Sequence, residues 1–195
     1  MRIAITGTHG VGKTTLAKVL SETLHLPLIT EVAREVAVAV GYKSTMEIIA
    51  DSPARKVSFQ VTLLGAQSAR EFYNRTKGFV SDRSILDIIA YMRLYELENI
   101  EPNLDTLTEN AIDYAATNYD LVLYLPLIGE GPVANDGFRL TDRVSQEKVD
   151  TWIACMVNQL PNGKIIVENT LKDRLKHALL AVGDVVMSKE ATTNA

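Results

Sequence analysis

Arg2-Ile3-Ala4-Ile5-Thr6-Gly7-Thr8-His9-Gly10-Val11-Gly12-Lys13-Thr14-Thr15-Leu16-Ala17 decides the fold. A short apolar strand leads into Gly7–Thr14, which fits Gly-x-x-x-x-Gly-Lys-[Ser/Thr], and a helical run follows: the strand-loop-helix context of a phosphate-binding loop. Gly7, Gly10 and Gly12 accept positive φ and turn successive backbone N–H groups inward into a nest for phosphate oxygens. The helix start adds unpaired N–H groups and the positive end of its dipole. Lys13 would reach the β- and γ-phosphates of ATP and the Thr14 hydroxyl would hold Mg²⁺. The nucleotide-binding run is therefore Gly7, Thr8, His9, Gly10, Val11, Gly12, Lys13, Thr14 and Thr15. A Gly-rich turn without a ligand is the plain alternative, which the flanking strand and helix disfavour.

The chain has 195 residues, 47% apolar and 23% charged, enough for one buried core and short for two domains. Its formal charge of −4 supplies no general basic field, so nucleic acid is not the expected partner. The first strand starts at Arg2, leaving no room for a leader, and no apolar run nears the ~20 residues of a membrane span. The expectation is a cytoplasmic protein acting on a small molecule, with a homodimer compatible with the sequence. Cys155 is the single cysteine; lying among Trp152, Ile153 and Met156, it reads as a core residue.

Further strands are expected at Leu28–Thr30, Gly78–Ser81, Leu121–Leu125 and Lys164–Val167. Leu121–Leu125 is uninterrupted and apolar, as suits a parallel strand buried on both faces. Between them, helices are expected near Glu31–Val40, Pro53–Asn74 (Ser52 as N-cap, with a stripe of Val57, Val61 and Leu64), from Ile85, Leu107–Ala116, Gln146–Gln159 and Leu171–Val182. This alternation predicts an α/β three-layer domain over residues 1–187 on a mostly parallel sheet, with a polar, flexible tail from 188 to 195. A turn-rich stretch, Gly129–Gly137, opens a small lid over about 129–145. In such sheets ligands bind beyond the carboxyl ends of the strands. Gly7–Thr14, Glu31, Asp82 with Arg83, and Glu168 with Asn169 should then face one crevice.

Phosphoryl transfer asks for positioning and countercharge. Asp82 would bind Mg²⁺ directly or through water; sharing an N-cap with Ser84 is its alternative. Glu31 would serve as general base or acceptor-hydroxyl ligand, or else is a plain helix-start carboxylate. Arg83 and Arg34 would bridge phosphates or acceptor, against structural ion pairs. Arg139 and Arg143, an i,i+4 pair after the Gly-rich loop, would swing over the γ-phosphate as a lid closes, or else are exposed helical arginines. Phe59 and Gln60 would stack on and hydrogen-bond a base in the acceptor, or else are a core Phe beside a solvated Gln.

With these residues in view, the chain resembles P-loop nucleoside and nucleotide kinases. The phosphate loop, Glu31–Glu35, Phe79–Asp87 with Ala90-Tyr91, and Asp136–Arg139 are similar to the family that includes the nicotinamide-riboside kinase domain of bacterial NAD regulators. Asp82-Arg83 with Ala90-Tyr91 also resembles thymidylate kinases, and Phe59–Leu63 resembles the base-reading helix of deoxynucleoside kinases. The resemblance spans Met1 to about Arg143 and implies a five-stranded sheet in the order 2-3-1-4-5, a Mg²⁺-ATP donor and an arginine-bearing lid. The chain lacks the proline-bearing segment after strand two of thymidylate kinases, which points away from a nucleotide acceptor. Two other classes stand beside a small-molecule kinase: a nucleotide-dependent regulatory or sensing ATPase, and a kinase acting on a polynucleotide. A GTPase or a transporter ATPase is disfavoured, because Asn-Lys-x-Asp and Leu-Ser-Gly-Gly are both missing.

Overall fold

Strands β1 (Arg2–Thr6), β2 (Leu28–Ile29), β3 (Phe79–Asp82), β4 (Leu121–Tyr124) and β5 (Gly163–Ile165) form one sheet in the order β2-β3-β1-β4-β5. Every pairing is parallel. The computed structural model describes residues 1–95, 103–129 and 142–193. Its helices are α1 (Lys13–Leu24), α2 (Val32–Ala39), α3 (Thr45–Ala50), α4 (Pro53–Asn74), α5 (Ile85–Leu94), α6 (Leu104–Asn118), α7 (Arg143–Val157) and α8 (Leu171–Thr193).

Alternation along the strands divides the core in two, because successive side chains leave a strand on opposite faces. Ile3, Ile5, Val80, Leu121 and Leu123 pack against α1 and α8. Ala4, Phe79, Val122 and Tyr124 face the opposite way, into a cluster built with α2, α4, α5, α6 and α7. β1, β3 and β4 are covered on both sides, as their apolar sequences require. The parallel register brings the ends of β1 and β3 level, Ile5 beside Asp82, so the phosphate loop and the turn after β3 emerge together.

Several elements depart from their sequence expectations for identifiable reasons. α6 and α7 each begin three residues early, because Asn103 accepts from the Thr106 N–H and Asp142 from the Ser145 N–H. α8 continues past Val182 and through most of the expected tail to Thr193, and Lys189 on it reaches Asp120 at 2.8 Å. Cys155 is exposed rather than a core residue; Ile153, Met156 and Val157 occupy the inner face of α7 instead. On α4 the buried line is Phe59, Gln60, Leu63, Gln67 and Glu71, while Val61 of the expected apolar stripe is exposed. Gln67 and Glu71 take the inner face there because they have buried partners, Ser81 and Tyr119 among them.

The turn into β3 depends on Gly78, which sits at φ +78° with the Met1 carbonyl where a Cβ would stand. Gly78→Ala is expected to destabilise the fold by about 1–3 kcal/mol, the usual cost of a side chain in a conformation that excludes it. Chemical denaturation at equilibrium measures this; an unchanged midpoint would refute it.

Candidate functional site

Gly7, Gly10 and Gly12 adopt φ +147°, +84° and +93°, and the loop wraps a hollow at the start of α1. Gly12 is the N-cap of that helix and no side chain caps it, which leaves its first-turn N–H groups to an anion. Lys13 is buried and its ammonium donates to the Thr8 carbonyl at 2.6 Å across the loop. Burial, reinforced by the nearby Arg83, brings its pKa down to about 8 despite Asp87, Asp82 and Glu31.

The turn after β3 supplies the carboxylate and the guanidinium. Asp82 is 4% exposed and receives the Thr14 hydroxyl; burial raises its carboxyl pKa against that bond and against Arg83 and Lys13. Ser84, not Asp82, caps α5: it accepts from the Leu86 N–H while Asp87 accepts from the Ser84 N–H. Arg83 stands at φ +103°, a strained conformation for a residue with a Cβ. Its Nε and Nη2 both meet Glu31 Oε1 at 2.7 Å, and its Nη1 lies 3.5 Å from Asp87. Burial raises the Glu31 carboxyl, but the charge and hydrogen bond of Arg83 outweigh it, with help from Lys13 and Arg34, and the net shift is downward. Glu31 is thus ionised at neutral pH.

Two hollows share this wall. A cleft of about 210 Å³ is lined by His9, Gly10, Gly12, Lys13, Thr14, Thr15, Glu31, Asp82 and Arg83. A narrower cavity, about 60 Å³, lies between α2, α4 and α5 and shares His9, Glu31 and Arg83 with the cleft. Arg34, Phe59, Gln60, Gln67, Tyr91 and Tyr95 also line it. Phe59 packs edge-on against Tyr42 at 5.6 Å between centroids, so it is a core residue as well as cavity wall. Gln60 is 1% exposed and its Oε1 has no partner among the described residues; its burial excludes the solvated alternative. The Tyr91 hydroxyl is likewise buried, close to Arg83 and Thr8, and burial pushes its pKa up to about 12 against their pull.

The structure thus gathers the phosphate loop, Glu31, Asp82 and Arg83, and sets Arg34, Phe59 and Gln60 beside them. Glu168 does not join the crevice: its side chain meets His177 at 2.7 Å. Arg143 lines a depression beside the phosphate loop with His9, Gly10 and Gly12 and bonds to Glu147 and the Gly129 carbonyl. Arg139 and most of the expected lid lie outside the described residues. Three contributors have no role assigned from the sequence, although Asp87 and Tyr91 lie in the segments that carry the resemblance. Asp87 was legible as the fourth residue of a capping box. Tyr91 sits one turn further along the same helix. Arg174 donates to the Val11 carbonyl from 163 residues away, a contact with no local signal.

Asp82 and the Thr14 hydroxyl suit a hard cation: both offer oxygen, one carries charge, and both border the phosphate cleft. Among the described residues no cluster of three or more His, Cys, Asp or Glu side chains is arranged to hold a metal.

Architecture and site define a P-loop fold of the nucleotide-kinase type. Deoxyadenosine kinase from M. mycoides with bound dATP superposes with TM-score 0.66 at 19% identity, over 94% of this chain and all of that one. NadR in complex with NAD and AMP-PNP gives 0.68 at 18% identity, over 94% of this chain and 48% of that one. Thymidylate kinase from Candida albicans gives 0.64 at 17%, over 96% and 91%. Comparison of the sequence with curated proteins finds no match. The family model described as an AAA domain matches residues 2–174, and the chain belongs to that family.

The position of Lys13 generates a pH test. Its ammonium is charged in the free protein below about pH 8, so affinity for a fluorescent ATP analogue should fall above that pH, by up to about tenfold per unit. The free protein's stability should gain from this group between about pH 8 and 10.5, because there the unfolded chain keeps a proton that the folded state has released. Affinity unchanged from pH 7 to about 9.5 would exclude Lys13 as the titrating group.

Proposed function

We propose that this protein is a Mg²⁺- and ATP-dependent phosphotransferase whose acceptor is a nucleoside, a nucleotide or a related small molecule. One observation carries the reading: the phosphate cleft and a separate, narrower cavity with a buried amide oxygen that has no partner among the described residues share Glu31 and Arg83 as their common wall. A sensing ATPase needs the first hollow and has no use for the second. The fold neighbours lend weight, since deoxyadenosine kinase holds dATP and NadR holds AMP-PNP.

In this reading the loop amides and Lys13 grip the β- and γ-phosphates, and Lys13 exchanges the Thr8 carbonyl for phosphate oxygen. Thr14 and Asp82 would hold Mg²⁺, which when bound offsets charge on the phosphate oxygens. Glu31, already ionised, accepts a hydrogen bond from the acceptor hydroxyl and orients it in line. Arg83 spreads countercharge toward the moving phosphoryl group while Glu31 and Asp87 fix its plane. Arg34, Phe59 and Gln60 hold the acceptor, Gln60 offering its buried oxygen to a donor group. Arg143 stands at the donor side, where it and Arg139 would close over the nucleotide.

Labelled ATP incubated with a panel of nucleosides, monophosphates and an oligonucleotide should give a phosphorylated small molecule. Lys13→Ala should abolish transfer, and Asp82→Asn should lower kcat by about 10²–10³. Steady ATP hydrolysis with transfer to no acceptor would overturn the kinase in favour of a sensing ATPase, and labelling of the oligonucleotide alone would favour a polynucleotide kinase.

A further inference from the structure

Behind the catalytic turn, touching the narrower cavity only through Gln67, lies a polar cluster that the phosphotransfer reading does not use. Glu71 of α4 is 2% exposed. Its Oε1 accepts from Gln67 Nε2 at 2.6 Å and from the Tyr119 hydroxyl at 2.8 Å, and its Oε2 from the Tyr114 hydroxyl at 2.7 Å. Burial raises the carboxyl pKa against those three bonds. An apolar side chain would fill the place without the desolvation cost of a carboxylate, so the position of its partners matters.

Two of them hold the segment that carries the site. Gln67 Nε2 also donates to Ser81 Oγ at 3.0 Å, one residue before Asp82. The Tyr119 oxygen accepts the N–H of Ile85 at 3.2 Å, two residues after Arg83. Both ends of Ser81-Asp82-Arg83-Ser84-Ile85 therefore rest on one carboxylate through single intermediaries. The third partner, Tyr114, bonds the same carboxylate, and no bond from it to that segment is present among the described residues.

We propose that Glu71 is a positioning residue of the transfer reaction, holding the Ser81–Ile85 segment from behind at both ends and so setting where Asp82 and Arg83 stand. The inference rests on the kinase reading for its catalytic consequence. Its geometric content is independent, since a displaced Asp82 loses the metal whether or not an acceptor is phosphorylated.

Three variants separate positioning from mere stabilisation. Tyr119→Phe cuts the link to Ile85. Glu71→Gln presents an amide N–H to groups that themselves donate. Tyr114→Phe removes a comparable hydrogen bond from the same carboxylate without touching the segment. All three are compared with wild type for thermal stability, for kcat and KM, and for the gain in affinity for a fluorescent ADP analogue on adding Mg²⁺. Tyr119→Phe and Glu71→Gln should lower kcat about tenfold and cut the Mg²⁺-dependent gain about tenfold, the KM for Mg²⁺-ATP rising with that loss. Tyr114→Phe should leave both readouts within about twofold of wild type, whatever its melting temperature. Equal effects of Tyr119→Phe and Tyr114→Phe, or an unchanged Mg²⁺ gain in folded Tyr119→Phe, would overturn the proposal. Should Glu71→Gln fail to fold, the two tyrosine variants decide. A wild type that binds nucleotide with Mg²⁺ yet transfers to no acceptor removes the kinase reading and leaves the Mg²⁺ comparison to judge Glu71. A wild type that binds no nucleotide removes both.

Discussion

One buried carboxylate joins the two halves of the site. Asp87, 1% exposed, accepts from the Thr6 hydroxyl at 2.7 Å and from the Gly7 N–H at 3.4 Å, where β1 becomes the phosphate loop. It also accepts from the Ser84 N–H at 2.8 Å and the Ser84 hydroxyl at 2.9 Å, and faces Arg83. A carboxylate taken out of water is tolerated when donors and a cation surround it, and such charge-assisted bonds are the stronger kind. The loop that grips phosphate and the turn that presents Asp82 and Arg83 are therefore not placed independently. The parallel register of β1 and β3 brings them level, and Asp87 fixes the last ångström between their ends.

Arg83 shows what that fixation sustains. A non-glycine residue at φ +103° persists only when its surroundings over-determine it. Here the guanidinium is caught between Glu31 and Asp87 with the Tyr91 ring 5.7 Å away, and His9 packs on that ring at 5.1 Å. Relaxing the backbone would cost two ion pairs and an aromatic contact together. The strain sets the guanidinium on the wall common to cleft and cavity, so that it lines both. The alternatives weighed for Arg83, a substrate cation or a structural ion pair, are thus not exclusive: the ion pair with Glu31 aims the side chain.

How much of this the sequence displayed follows from the range of each interaction. The phosphate loop is written in local backbone requirements, three glycines, one lysine and one threonine in fixed order, so it could be read directly. The sheet order came from resemblance and the strands from apolar runs, because buried parallel strands leave an uninterrupted signature. The α4 stripe held at Val57 and Leu64, which pack against the core, but misled at Val61 because apolar spacing assumes an apolar inner face, whereas Gln60, Gln67 and Glu71 are buried there beside Phe59 and Leu63. Cys155 misled in the same way: apolar neighbours in sequence do not fix which side of a helix a residue faces. Arg174 on Val11, and Glu71 beneath the turn from Ser81 to Ile85, join segments far apart in the chain, and only the folded geometry brings them together.

The two hollows also differ in a way that bears on the order of events. The phosphate cleft is open at exposed Thr14 and Thr15, so a triphosphate can enter without moving the fold. The neighbouring cavity, at about 60 Å³, is far below the roughly 300 Å³ at which ordinary small-molecule sites begin. A nucleoside-sized acceptor needs its wall to move. That wall includes α2, whose Val32, Val36 and Ala37 pack into the main cluster, and whose outer side meets α4 through an ion pair between Glu35 and Arg70 at 2.6 Å. The pair is solvent-exposed and contributes under about 1 kcal/mol, so it does not hold the wall shut; the apolar contacts beneath it do. Opening therefore draws on hydrophobic burial, and an acceptor bound as proposed would have to return that energy through contacts with Phe59, Gln60 and Arg34. In the proposed reaction, selectivity then arises where closure around the right acceptor restores the packing and brings its hydroxyl to Glu31.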